Sequence, residues 1–169
     1  MNPIVSFARF LALGLHKSKV PTSFTSLSKV RAAVVVIDGD EKGVQALADS
    51  VNKYFASKNI RVAVFAVSGD KKHPEIKGAT LLAGRAVNWF GKPRKGRRRP
   101  PIAVGENLFV NLVGRECFTA EYCAVASEAV FKVGRISKRK GLYNLYVSSE
   151  GHDSGEVFTQ IAGMLDTVK

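Results

Sequence analysis

The chain has 169 residues, 46% of them hydrophobic, and a formal net charge of +12 at pH 7. That length supports one domain with a proper core and is too short for two comfortable ones. The charge excludes an evenly mixed shell: residues 70–140 hold sixteen cations against six anions, residues 1–30 hold four cations and no anion, and the last 29 residues sum to −3. The basic surface therefore belongs to the middle and the N-terminal end.

Residues 1–30 contain Arg9, Lys17, Lys19 and Lys29, many hydroxyl side chains, and no acid; the first is Asp38. This is the composition of a mitochondrial transit peptide, or of a retained basic N-terminal arm, and it places the protein in the mitochondrial matrix. Ile4, Phe7, Phe10, Leu11 and Leu15 recur at roughly helical spacing, which predicts an amphipathic helix of the sort import receptors bind. The run is interrupted by Arg9 and falls far short of the ~20 residues needed to cross a bilayer, so no membrane span is expected.

From Arg31 the chain changes character. AAVVVIDGD reads as a buried strand ending in turn residues. Residues 41–59 place Val44, Leu47, Ala48, Val51, Tyr54 and Phe55 on one stripe, a helix ending near Lys58 and Asn59. IRVAVFAVSGD is a second apolar strand, and strand, helix, strand within about 40 residues implies a parallel pair with a right-handed crossover. Residues 74–90 predict a helix opened by Pro74 and Glu75, against the alternative of two extended pieces broken at Gly78 and Gly84.

Beyond residue 101, IAVGENLFVNLVGRE, YCAVASEAVFKVGRI and GLYNLYVSS are rich in Val, Ile, Phe and Tyr and are separated by Gly and basic turns. They predict antiparallel strands, with RISKRKG as a hairpin tip. DSGEVFTQIAGMLDTV opens on a cap at Asp153 or Ser154 and carries Val157, Ile161, Met164 and Leu165 on one face, a terminal helix. The expected architecture is thus a small single α/β domain over residues 31–169, with α+β as the variant, behind a basic arm at 1–30.

Two basic loops carry the functional signal. In GKPRKGRRRPP, residues 91–101, six of the eight positions from Lys92 to Arg99 are cationic: Lys92, Arg94, Lys95, Arg97, Arg98 and Arg99. The second cluster comprises Lys132, Arg135, Lys138, Arg139 and Lys140, with its loop at 135–141. Such runs lack apolar groups to bury and repel themselves unless a polyanion lies alongside. Arginine predominates in the first, which suits bidentate phosphate contact. Trp89 and Phe90 directly precede it; they either stack on an unpaired base or pack in the core, and core packing is the expectation.

Catalytic chemistry is thinly represented. Cys117 and Cys123 lie six apart with no nearby His, which makes zinc unexpected and buried free thiols in a reducing compartment the reading. His16, His73 and His152 have no hydroxyl or thiol at a telling spacing and read as surface residues. A phosphate-binding loop needs GxxxxGK, whereas IDGDEKG offers Gly39 and Gly43 with Lys42 out of place, so ATP binding is set aside. Asp38 and Asp40 after the first strand, with Asp70 after the second, could converge on Mg²⁺. Equally, Asp and Gly simply end strands and cap helices.

The string VVVIDGD resembles the opening strand of NYN/PIN-like ribonucleases, in which an acid after the first strand helps bind the catalytic metal. The resemblance covers about seven residues, with Glu41 where such families usually show Asn. It implies a Mg-dependent ribonuclease as one alternative.

The main expectation is a structural, non-enzymatic subunit of a mitochondrial ribosome. It would bind rRNA phosphates through both loops and touch neighbouring proteins of the particle, without a cofactor, a bound metal or a small-molecule substrate. An accessory subunit of a respiratory or ATP-synthase complex is the other alternative.

Overall fold

Six strands pair side by side in the order β3-β2-β1-β4-β5-β6, and every neighbouring pair is parallel. In this computed structural model, residues 2–94, 105–135, 141–147 and 152–167 are described. The strands are β1 (Ala32–Asp38), β2 (Arg61–Val67), β3 (Thr80–Leu82), β4 (Leu108–Asn111), β5 (Phe131–Gly134) and β6 (Leu145–Tyr146). The helices are α1 (Pro3–Leu15), α2 (Val44–Ser57), α3 (Phe118–Ala126) and α4 (Ser154–Thr167). Parallel strands need both faces covered. One face packs Ala33, Val35 and Ile37 of β1 with Val64, Val110 and Phe131 against Leu47, Val51 and Phe55 of α2 and Val157, Ile161 and Leu165 of α4. The other packs Val34, Val36, Phe65 and Phe109 against Ala120, Tyr122 and Cys123 of α3 and Ala12 and Leu13 of α1. Each fully buried large side chain in these layers contributes about 2 kcal/mol of transfer free energy.

Where the sequence is amphipathic the elements form as expected. α2 ends in a Schellman motif: the Asn59 N–H donates to Ala56 O at 3.0 Å, the Ile60 N–H donates to Phe55 O at 3.0 Å, and Asn59 takes the left-handed conformation at φ 58°. α4 is capped by Asp153, whose Oδ1 accepts the Glu156 N–H at 2.8 Å.

Three expectations are corrected. The strands after residue 105 are parallel rather than antiparallel, because a helix, α3, occupies residues read as the start of a strand. Phe118–Ala126 is buried between sheet and α1, so it is apolar on both sides and lacks the stripe that betrays a surface helix. Residues 74–90 are not a helix: they contribute the short edge strand β3 and a 3₁₀ turn at Gly84–Ala86. The segment before residue 31 is docked rather than arm-like. α1 packs on α3, the Ser18 N–H donates to Val125 O and the Ser23 N–H to Val130 O, both at 2.8 Å.

Tyr143, buried in the α3-side layer, lies flat over the backbone of Gly134. A Cβ at Gly134 would overlap the carbon atoms of that ring. Gly134→Ala is therefore expected to destabilise the fold by about 3 kcal/mol, the upper end of overpacking costs, because the ring cannot retreat without losing its hydroxyl's bond to Asn111. Urea denaturation of the two proteins measures it.

Candidate nucleic-acid interface and the carboxylate crevice

The first basic loop leaves the sheet through a turn fixed on all sides. Asn88 closes it: its Oδ1 accepts the N–H groups of Phe90 at 3.2 Å and Lys92 at 2.8 Å, and its own N–H donates to Lys92 O. Val87 and Pro93 form an antiparallel bridge across the turn. Gly91 has φ 98° and lies against Phe118 and Thr119, so a side chain there would be strained and crowded. Arg9 of α1 donates from Nε to Phe90 O at 2.9 Å and stacks over Phe118 at 5.0 Å.

This rigid turn separates the two aromatics that the sequence left together. Phe90 packs against the α3-side core, whereas Trp89 stands edge-on to Phe90 with 65% of its surface exposed. Lys92 follows, its Nζ donating to His16 Nε2 at 2.7 Å and lying over the Tyr122 ring. Arg94 is exposed. Lys95, Arg97, Arg98 and Arg99 lie outside the described residues, as do Lys138, Arg139 and Lys140 of the second loop.

Two members of the second cluster point inward. The Arg135 guanidinium donates to Leu112 O at 3.0 Å, Ser154 Oγ at 2.7 Å and His152 O at 2.9 Å, tying β5 to the start of α4. Lys132, expected as a surface cation, is buried at 4% exposure. Its ammonium donates to Ala124 O and Ser127 O at 2.8 and 2.7 Å, satisfying the C-terminal end of α3. Burial lowers its pKa to about 8 against the pull of nearby Glu106.

The strand order reverses between β1 and β4, and in open parallel sheets the crevice at the carboxyl ends of such strands is the usual ligand position. Here it is occupied by charge pairs. Arg115 donates from Nε to Asp38 Oδ2 at 2.6 Å, and from Nη2 to Asp38 Oδ1 at 3.0 Å and Asp40 Oδ2 at 2.9 Å. The hydrogen bond to Asp38 raises the Arg115 pKa. Burial pushes the Asp40 carboxyl up, but the Gly69 N–H, the Ser68 hydroxyl and Arg115 outweigh it, and the pKa ends below the usual range. Beside them Glu41 accepts the N–H of Ser154 at 2.9 Å and its hydroxyl. Asp70 turns away, its Oδ1 accepting the Lys72 N–H at 2.8 Å.

Asp38 and Asp40 thus meet on Arg115 rather than on a cation, while Asp70 caps its own loop. Among the described residues no group of three or more His, Cys, Asp or Glu could hold a metal ion. The crevice is a lock joining the β1, β2 and β4 ends, with Glu41 and Arg135 fastening α4. Sequence reasoning missed Arg115 because nothing local connects it to Asp38, 77 positions away. Of the thiols, Cys123 is buried and Cys117 partly so, and burial raises the Cys123 pKa.

The model of a family of unknown function, DUF6913, matches residues 6–167, so the chain belongs to that family. No curated protein and no solved structure matches it.

Proposed function

We propose that this DUF6913 member is a non-enzymatic RNA-binding subunit of a ribonucleoprotein, gripping phosphates through the basic run that starts at Lys92. The particle we assign is the mitochondrial ribosome, reading the acid-free, basic residues 1–30 as a targeting segment that stays docked on the domain. The observation that carries the RNA reading is Trp89: a large indole held in solvent by a rigid turn, three residues ahead of six cations in eight positions. Aromatic surface beside arginine and lysine is what single-stranded RNA uses, bases stacking on the ring while cations follow the backbone. The folded sheet contributes position, and the cations release counterions as they neutralise phosphate.

Trp89 is the chain's single tryptophan, so its emission reports the contact directly. Titration with single-stranded RNA should quench it in step with binding; binding with unchanged emission would remove the indole from the interface. The tagged protein should sediment with ribosomal subunits and lose that association after ribonuclease treatment. Association that survives digestion would point to protein contacts instead.

A further inference from the structure

α1 carries an apolar face that none of the described residues covers. Of the eight exposed large hydrophobic residues among those described, five sit on this one helix: Ile4, Phe7, Phe10, Leu11 and Leu15, between 40% and 77% exposed. At about 100° per residue these positions fall on one continuous side. The opposite side is already used, with Ala12 and Leu13 buried against the α3 layer and Arg9 clamped onto Phe90 and Phe118. Scattered apolar exposure is ordinary, but five large side chains gathered on one helix of 13 residues are not.

Charge identifies the occupant. Lys17 and Lys19, both exposed, follow the helix directly, and Lys92 is held at its C-terminal end by the bond to His16. No acid precedes Asp38. A second copy of this chain is disfavoured, since a symmetric contact would press the same acid-free, lysine-flanked segment against itself. Phe, Leu and Ile side chains exposed beside lysines and without an acid suit a deformable apolar medium under an anionic surface.

We propose that α1 is an interfacial membrane anchor. It lies flat on an anionic bilayer, its apolar side chains sunk about 5–10 Å to the headgroup and acyl boundary while Lys17 and Lys19 meet lipid phosphates. Thirteen residues cannot span, and among the described residues no helix is long and apolar enough to do so.

Flotation of the full chain with vesicles of equimolar phosphatidylcholine and phosphatidylglycerol, and with vesicles of phosphatidylcholine alone, tests this. Binding to the anionic vesicles is expected to exceed binding to the neutral ones about tenfold or more. The triple variant Phe7→Ser, Phe10→Ser, Leu11→Ser, altered only at exposed positions, should keep its thermal transition and bind anionic vesicles about tenfold or more weakly. The pair Lys17→Ser, Lys19→Ser should lose chiefly the preference for anionic lipid. Wild-type protein that does not float, or a folded triple variant that floats equally well, overturns the anchor. So does a wild-type dimer that the triple variant dissolves without any vesicle binding, which would assign the face to a second copy. None of these substitutions touches Trp89 or the run from Lys92 to Arg99, so the result is independent of RNA binding.

Discussion

Replacing Lys92, Arg94, Lys95, Arg97, Arg98 and Arg99 with serine is expected to lower affinity for structured RNA by about 10³-fold at low salt and to reduce the slope of log K against log salt by about 4. The reasoning is electrostatic: each cation on a phosphate releases roughly 0.7–0.9 of a counterion, and deleting all six charges together removes most of the sequence-independent attraction. The fold should be untouched, since the run begins at a turn that Asn88, Gly91 and Thr119 hold without using any of the six side-chain charges. Lys92 has one further role, its bond to His16, so a variant that keeps Lys92 and changes the other five separates RNA contact from support of α1. Filter binding at several salt concentrations, alongside thermal denaturation, reads both quantities. Undiminished affinity in the six-fold variant would remove the basic run from the function.

Lys132→Met should destabilise the fold by about 3 kcal/mol, as much as Gly134→Ala on the same side of the sheet. Methionine fills the same volume, yet it leaves Ala124 O and Ser127 O without donors and strips buried Glu106 of its nearby cation. The pH dependence has a definite sign. Burial drops the folded-state pKa from 10.5 to about 8, so between those values the unfolded chain holds the proton more tightly. The cost of burying the charge is fully present below pH 8, and stability from this group rises as pH goes from about 8 to 10.5, by up to about 3 kcal/mol. The neutral amine still donates to both carbonyls. Subtracting the Lys132→Met profile from the wild-type profile isolates the effect from Tyr54 and Tyr143, whose hydroxyl pKa values burial raises. A difference that is flat across that window would contradict the buried-lysine account.

What the sequence displayed was set by how each element is packed. β1 is a β-branched run buried throughout, β2 is buried over its second half, and α2 and α4 each show one apolar stripe because one side meets water. α3 is enclosed between sheet and α1, which erases its period and makes it resemble a strand. With α3 misread, the crossover that makes β4 and β5 parallel disappeared and RISKRKG was read as a hairpin tip. Lys132 does leave a trace. It alternates with Phe131 and Val133 in a strand four residues long, so a lone cation there must enter the second layer of the core rather than solvent. The lock of Asp38, Asp40 and Arg115, by contrast, joins residues far apart in the chain, and no local pattern announces it. Trp89 and Phe90 differ only in which side of a tight turn they occupy, information held in Asn88 and Gly91 rather than in the aromatics themselves.

On this reading the basic surface meets nucleic-acid phosphate. The most direct test is the affinity of the wild-type chain for structured RNA measured from low to near-physiological salt and beyond. The expected result is a linear log–log plot with a slope near −4 or steeper, carried by the six cations from Lys92 to Arg99. A slope close to zero, or no measurable binding at low salt, would contradict it.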